Sequence, residues 1–189
     1  MTRRKALLII IAVFFLPITY LLIKRSTLHS KYSAKNLESY RRLISEIADT
    51  IIPRTDTPGA KDANVDSFII NVMQKCESKR SRATFVLGLE SVERESNMRF
   101  GMSFLLCSDN DKEFIMREIE SKQIPHPFLK KVKTKLFGPS FFDQIKVLTV
   151  KGYCMSKEGA TKGLAYDPLP KRYVPCTSYI QNQKAWATR

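Results

Sequence analysis

A helix and a stiff turn follow one another in Leu37-Glu-Ser-Tyr-Arg-Arg-Leu-Ile-Ser-Glu-Ile-Ala-Asp-Thr-Ile-Ile-Pro-Arg-Thr-Asp-Thr-Pro-Gly-Ala60. In the first half the apolar side chains recur at steps of three and four residues, which places them on one face of an α-helix. These residues are Leu37, Tyr40, Leu43, Ile44, Ile47, Ala48 and Ile51. Pro53 ends the helix, because proline disfavours helical geometry in the residue before it. The stretch therefore predicts an amphipathic helix that stops shortly before Pro53.

The turn after this helix is stiff and polar. Pro53 and Pro58 each fix a backbone φ angle, and Gly59 permits a positive one. The polar side chains between the two prolines can hydrogen-bond nearby amides; they are Thr55, Asp56 and Thr57. A rigid loop loses little entropy when it binds, which makes recognition of a partner one function for this segment. The alternative is a tight connection between two helices whose rigidity only stabilises the fold.

Helical periodicity continues after the turn, and no segment alternates for long with the period of a β-strand. Further helices are predicted after Asn64 and over residues 81–100, 108–121, 128–137 and 141–151. Ser108 is the predicted N-cap of its helix. The last helix is expected to turn four side chains inward, namely Phe142, Ile145, Leu148 and Thr149. The predicted fold is all-α, a small helical bundle or orthogonal helical array with a loop-rich C-terminal tail from Gly152 onward.

Size and charge limit the classes of protein to consider. With 189 residues, of which 43% are hydrophobic, the chain can build one sizeable core, and residues 35–189 are predicted to form a single helical domain. The formal net charge of +14 favours an anionic partner such as phospholipid, nucleic acid or an acidic protein face, without choosing among them. The sequence contains no recognisable nucleic-acid-binding motif.

One lysine-rich segment, residues 128–137, is amphipathic. Its lysines are interleaved with apolar side chains; they are Lys130, Lys131, Lys133 and Lys135. Such a helix can rest on anionic lipid headgroups. The alternative is an ordinary helix of the bundle with a solvated lysine face, which is the commoner arrangement.

The N-terminus has the pattern of an export signal or membrane anchor. Residues 6–23 are eighteen residues without a charge, and a helix of that length covers about 27 Å, close to the hydrocarbon thickness of a bilayer. Residues 1–25 are therefore predicted to be an export signal or signal-anchor helix, and residues 26–34 a polar linker. The pair Arg3 and Arg4 resembles a twin-arginine export signal, and a plain secretory signal-anchor is the alternative. Both place the body of the protein outside the cytoplasm.

Four cysteines fit an oxidising compartment. Cys76 and Cys107 are predicted to be small buried side chains on helix faces. Cys154 and Cys176 lie near turns and in the irregular tail, so we expect them to be cross-linked, either to each other or to a partner chain.

Motifs for catalysis or cofactor binding are missing from the sequence. The seven glycines never take the G-x-G-x-x-G spacing of a dinucleotide-binding fold, and there is no G-x-S-x-G nucleophile elbow. The two histidines are His29 and His126, and no C-x-x-C pair occurs. The sequence therefore predicts no catalytic, cofactor-binding or metal-binding residue in this chain.

Five segments together form a specific pattern, residues 47–60, 64–69, 148–159, 164–168 and 173–176. They resemble the gluconate 2-dehydrogenase subunit 3 family, in order and over most of residues 36–176. The run Pro-Arg-Thr-Asp-Thr-Pro-Gly-Ala that ends at Ala60 is quite specific. Cys154 departs from the family pattern, in which a second aromatic residue more often follows the glycine and tyrosine at Gly152 and Tyr153.

The resemblance implies a role in a membrane-associated flavin dehydrogenase. Members of the family are small, or gamma, subunits that accompany a large FAD-bearing subunit of the glucose-methanol-choline oxidoreductase type, and often a multihaem cytochrome c subunit. The resemblance further implies that the small subunit escorts the folded flavoprotein, which has no signal of its own, across the membrane. The expected location is the periplasmic side of the bacterial inner membrane, and FAD is expected in the partner rather than in this chain.

A partner-binding site is expected in two parts of the chain on this basis. Its residues are Pro53, Arg54, Thr55, Asp56, Thr57, Pro58 and Gly59 in the turn, and Gly152, Tyr153 and Tyr173 near the C-terminus. The alternative function is a membrane-tethered scaffold of the envelope that binds lipid or another protein and has no flavoprotein partner.

Overall fold

The structure is a computed structural model that describes residues 32, 35–122, 128, 131, 134–135, 138–167, 176, 178 and 181–187. The signal or anchor helix predicted within residues 1–25 lies outside these ranges, as does most of the helix predicted at residues 128–137. Within the described ranges no helix is long and apolar enough to cross a membrane.

The described residues fold into α-helices joined by turns. The helices are α1 Arg41–Ile51, α2 Val65–Lys75, α3 Lys79–Phe100, α4 Asp109–Ser121 and α5 Phe141–Met155. Short 3-10 turns, Leu37–Tyr40 and Phe104–Leu106, precede α1 and α4, and a π-helical turn, Gly159–Gly163, follows α5. The β-type pairing in this part of the chain is a bridge between Ala165 and Trp186. The predicted all-α class is confirmed.

Helices α1 and α5 lie at the centre of the packing. α1 contacts α2, α4 and α5, and α5 also packs against α2 and α3. Most of the stripe predicted on α1 is buried, with Tyr40 and Ile51 packed at its edge. The four side chains predicted to point inward from α5 are buried as well. Burying a large apolar side chain contributes about 1.5–3 kcal/mol, so the hydrophobic period determines which face of each helix turns inward.

Serine N-caps begin three of the helices. Ser78, Ser108 and Ser140 each accept a hydrogen bond from the backbone N–H three residues later, at 3.1, 3.3 and 3.2 Å. The prediction of Ser108 as the cap of α4 is confirmed. Its hydroxyl also donates to the Asp111 carboxylate at 2.6 Å. These caps fix where the helices begin, because they satisfy amide groups that have no partner within the helix.

The predicted start of the tail at Gly152 is wrong, because α5 continues to Met155. Gly152 and Tyr153 are both buried. A Cβ on Gly152 would lie 2.8 Å from the Phe68 ring of α2, so the two helices cross closely at this point. The packing of this last turn outweighs the low helix propensity of glycine.

The cysteines divide into one buried and three exposed thiols. The prediction for Cys76 is wrong, since it is exposed at the C-cap of α2, where the chain leaves the core. Cys107 is buried as predicted, although it follows a 3-10 turn instead of lying on an α-helical face. Cys154 and Cys176 are exposed and free, and their cross-link stays a prediction.

Candidate partner-binding site

The loop between α1 and α2, residues 53–60 and called the proline loop below, closes on itself. The Ala60 N–H donates to the Ile52 carbonyl at 2.9 Å and joins the two ends, while the Thr55 N–H donates to the Thr57 carbonyl at 3.1 Å. Its first four residues are exposed, and Thr57 and Pro58 are half-buried. The exposed residues are Pro53, Arg54, Thr55 and Asp56. The loop therefore presents a polar tip to solvent on a closed base.

Gly59 is the point of closest approach within the loop. A Cβ there would lie 2.7 Å from the Arg54 amide nitrogen and 3.0 Å from Asp49 Oδ1. Gly59 does not adopt the positive φ that glycine permits, since Gly101 and Gly138 are the described glycines with that conformation. The turn needs glycine here for space and not for a left-handed backbone. Gly59 is buried and offers no side chain to a partner.

Asp62, which is not among the predicted site residues, braces the loop. Its carboxylate accepts hydrogen bonds from the Gly59 N–H at 2.9 Å and from the Arg54 guanidinium at 3.4 Å. The sequence carries one signal for this role, which is an aspartate close to a turn. Aspartate side chains often accept hydrogen bonds from backbone amides nearby. Asp62 thereby links the base of the loop to its exposed arginine.

Tyr153 joins the proline loop to the C-terminal part of the chain. Its hydroxyl donates to the Pro58 carbonyl at 2.8 Å, between residues 95 positions apart. The π-helical turn encloses this side chain, since a Cβ on Gly163 would lie 2.5 Å from the phenol oxygen. Gly159 packs against the Tyr153 carbonyl with no room for a side chain. Two segments that are distant in sequence therefore build one structure.

The residues expected to bind a partner have two different places in this structure. Those at the tip of the proline loop are exposed, whereas Gly152 and Tyr153 are buried and support the loop from inside. Tyr173 lies outside the described residues, as do Arg3 and Arg4. Of the residues expected to bind a partner, those at the tip of the loop are therefore the ones that the structure places at the surface.

Glu46 of α1 connects the base of the loop to α4. Its carboxylate accepts hydrogen bonds from Lys61, next to the loop, at 2.7 Å and from Lys112 of α4 at 3.1 Å. Burial by itself raises the pKa of Glu46, but the two lysines outweigh that effect and hold the pKa below its ordinary value. The hydrogen bond to Glu46 in turn raises the pKa of Lys61. Because Lys112 is buried, this pairing fixes α4 against the base of the loop.

A cleft of about 550 Å³ opens between the proline loop and the first turn of α4. Pro53 and Arg54 line it from the loop, and Asp109 and Glu113 line it from α4. The Arg54 side chain is 76% exposed and its bond to Asp62 is long, so its guanidinium is accessible to a partner. In the described ranges no group of three or more His, Cys, Asp and Glu residues is placed to hold a metal ion. The site offers a fixed backbone shape and a few polar groups.

One comparison with known proteins gives a match. The family model described as gluconate 2-dehydrogenase subunit 3 matches residues 38–170, a range that contains the proline loop, Asp62, Tyr153 and the π-helical turn. No curated protein and no solved structure matches the chain.

Proposed function

The chain belongs to the gluconate 2-dehydrogenase subunit 3 family, and from that premise we propose that it is the non-catalytic small subunit of an exported FAD-dependent sugar or alcohol dehydrogenase. In this role it binds the folded flavin-bearing subunit, of the glucose-methanol-choline oxidoreductase type, through the proline loop. The observation that carries the proposal is the hydrogen bond from Tyr153 to the Pro58 carbonyl. This bond holds an exposed loop in place from inside the molecule. Its two residues lie in two of the segments on which the resemblance to the family rests.

Preorganisation is the physical basis of the docking step. The loop is closed by the bond between Ala60 and Ile52, braced by Asp62 and supported by Tyr153. A partner that binds the tip therefore orders few bonds that are free to rotate, and less binding free energy is lost to entropy. The exposed Arg54 supplies a charged donor that can meet a carboxylate or a carbonyl of the partner.

Export and electron transfer complete the proposal. Residues 1–25, with Arg3 and Arg4 as a twin-arginine signal, direct the small subunit and its flavoprotein to the periplasmic side of the inner membrane. Substrate oxidation takes place at the FAD of the large subunit. A multihaem cytochrome c subunit is the expected electron acceptor in the same complex.

Co-expression with the flavin-bearing subunit tests the docking step. We expect the full chain to co-purify with a flavoprotein, seen by its flavin absorbance. Arg54→Ala removes an exposed group whose pairing with Asp62 contributes little to stability, so the variant should fold but bind about tenfold more weakly, a loss of about 1.4 kcal/mol. Arg94→Ala is the matched control, because Arg94 is exposed on α3.

The location of the flavoprotein tests the escort role. Deletion of residues 1–25 should leave dehydrogenase activity in the cytoplasmic fraction, whereas the wild-type chain should bring it to the membrane fraction. Normal export after the deletion would remove the escort role. A wild-type chain that recovers no flavin absorbance would contradict the docking proposal and favour the membrane-tethered scaffold.

A further inference from the structure

An exposed stripe runs along α5 on the side opposite the core. Val147, Val150 and Cys154 follow one another at helical steps of three and four residues, and all three are exposed. The two valines are 49% and 44% exposed, and Met155 beside them is 74% exposed. Valine and methionine side chains that stay in water forgo the favourable free energy of burial, so a contact that covers this apolar surface would be stabilising.

Lysines border the stripe on both sides. With about 100° of rotation per helical residue, Lys146 lies on one side of the stripe and Lys151 on the other. Lys146 pairs with Glu120 at 3.1 Å, whereas Lys151 and Lys157 form no ion pair with any described residue. Asp143 lies in the first turn of α5, and Lys157 and Glu158 follow the end of the helix. The centre of the face therefore combines apolar side chains with unpaired positive charge.

We propose that this face of α5 rests on an anionic lipid surface. The valines and Met155 enter the boundary between headgroups and acyl chains, and the lysines reach the lipid phosphates. Each lysine near such a surface adds electrostatic attraction to the anionic lipids. The chain as a whole carries a net charge of +14, which attracts it toward the same surface. Positive charge attracts lipid phosphates and acidic protein faces alike; the predicted anchor at residues 1–25, which keeps the body beside a bilayer, favours lipid as the occupant of the face.

The contact depends on the tether, which is part of the proposed function. The predicted linker at residues 26–34 reaches at most about 30 Å when fully extended. An anchored body therefore stays close to the bilayer, and its high local concentration there allows a weak contact to persist. The face need not hold the protein at the membrane by itself. Its effect is to orient the body and so to determine where the proline loop points.

Two native cysteines give a matched pair of probe positions. Cys154 lies on the proposed face, and Cys76 is exposed at the end of α2. We suggest attaching the fluorophore NBD to Cys154 in a Cys76→Ser, Cys176→Ser chain, and to Cys76 in a Cys154→Ser, Cys176→Ser chain. The full-length protein is placed in nanodiscs of phosphatidylcholine, with or without phosphatidylglycerol. Doxyl-labelled lipid then reports by quenching whether the probe lies against the bilayer.

Quenching of the Cys154 probe should be several-fold stronger than that of the Cys76 probe in the anionic discs. With Lys151→Glu and Lys157→Glu combined, quenching of the Cys154 probe should no longer depend on phosphatidylglycerol. The control is Lys75→Glu combined with Lys79→Glu, which changes the net charge by the same amount at exposed positions elsewhere. In this variant most of the quenching of the Cys154 probe should remain. This control separates a specific face from general attraction of a basic protein.

Three results would overturn the inference. Equal quenching at the two positions would show that the face has no contact with lipid. A change in the fluorescence of the Cys154 probe that occurs only when the flavoprotein subunit is present would assign the face to a protein partner. Failure of the chain to enter discs of either composition would remove the anchor on which the contact depends. Binding of the flavoprotein is measured separately by co-purification, so failure of the proposed function is distinguishable from each of these results.

Discussion

Tyr153 is the residue that makes the candidate site a single structure. Its hydroxyl donates to a backbone carbonyl of the proline loop, and its ring fills the space that Gly163 of the π-helical turn leaves open. Burial of the phenol hydroxyl removes it from water, which costs free energy unless a hydrogen bond within the protein replaces the one to water. Tyr153 therefore has a physical role, namely support of a loop that is far away in sequence.

Tyr153→Phe should destabilise the protein modestly and loosen the loop. The change keeps the ring but leaves the half-buried Pro58 carbonyl without its donor, which costs about 1–2 kcal/mol. Chemical unfolding followed by circular dichroism measures the loss, and hydrogen exchange at the Thr55 and Ala60 amides should be faster. Tyr166→Phe is the control, because Tyr166 is 46% exposed and should be close to neutral. Unchanged exchange at both amides in Tyr153→Phe would contradict the supporting role.

Among the secondary-structure elements, the residues at which helices begin and end differ in how well the local sequence predicts them. The starts of α3, α4 and α5 coincide with serine caps that a reader can recognise from local sequence. The end of α5 was predicted too early, because Gly152 is a poor helix former when judged by itself. Its close packing against Phe68 of α2 keeps the helix going past Gly152, and no local sequence pattern reveals that contact.

Ser108→Ala should lower the free energy of unfolding by about 1 kcal/mol. The substitution removes the cap of the Asp111 N–H and the partner of the Asp111 carboxylate. Denaturant titration of the wild type and the variant gives the difference. Ser45→Ala in α1 is the comparison, because alanine is the better helix former there and the change should be neutral or slightly stabilising. A loss of equal size at Ser45 would show that the cap has no special effect.

At the scale of the whole molecule, Glu46 connects three parts that are separate in sequence. It lies on α1, and it binds Lys61 beside the proline loop and Lys112 on α4. Its folded pKa is held below the ordinary value, so its contribution to stability is present above the pKa of the unfolded carboxyl, about 4.3. That contribution is lost as the pH falls through the folded pKa. Acid should therefore loosen the loop and α4 together.

Glu46→Gln should lower the free energy of unfolding at neutral pH by on the order of 2 kcal/mol, since it leaves the buried Lys112 without its nearest carboxylate. It should also reduce the dependence of stability on pH in the acid range. Melting temperatures measured across that range provide the test. Glu77→Gln, at an exposed position after α2, should leave both the neutral stability and the acid slope unchanged. An acid slope as steep in Glu46→Gln as in the wild type would contradict the role of Glu46.

The sequence by itself determined the helices of α1 to α4, the cap at Ser108, the stiffness of the proline loop and the likeness to the family. The helices, the cap and the stiff loop depend on neighbours within a few residues, so a local pattern is enough to reveal them, whereas the likeness to the family rests on the order of several segments along the chain. Only the tertiary structure decided that Gly59 is needed for space, that Asp62 braces the loop, and that Gly152 and Tyr153 lie inside the molecule. The physical reason is that burial, close approach and the pairing of Glu46 depend on groups brought together from distant positions.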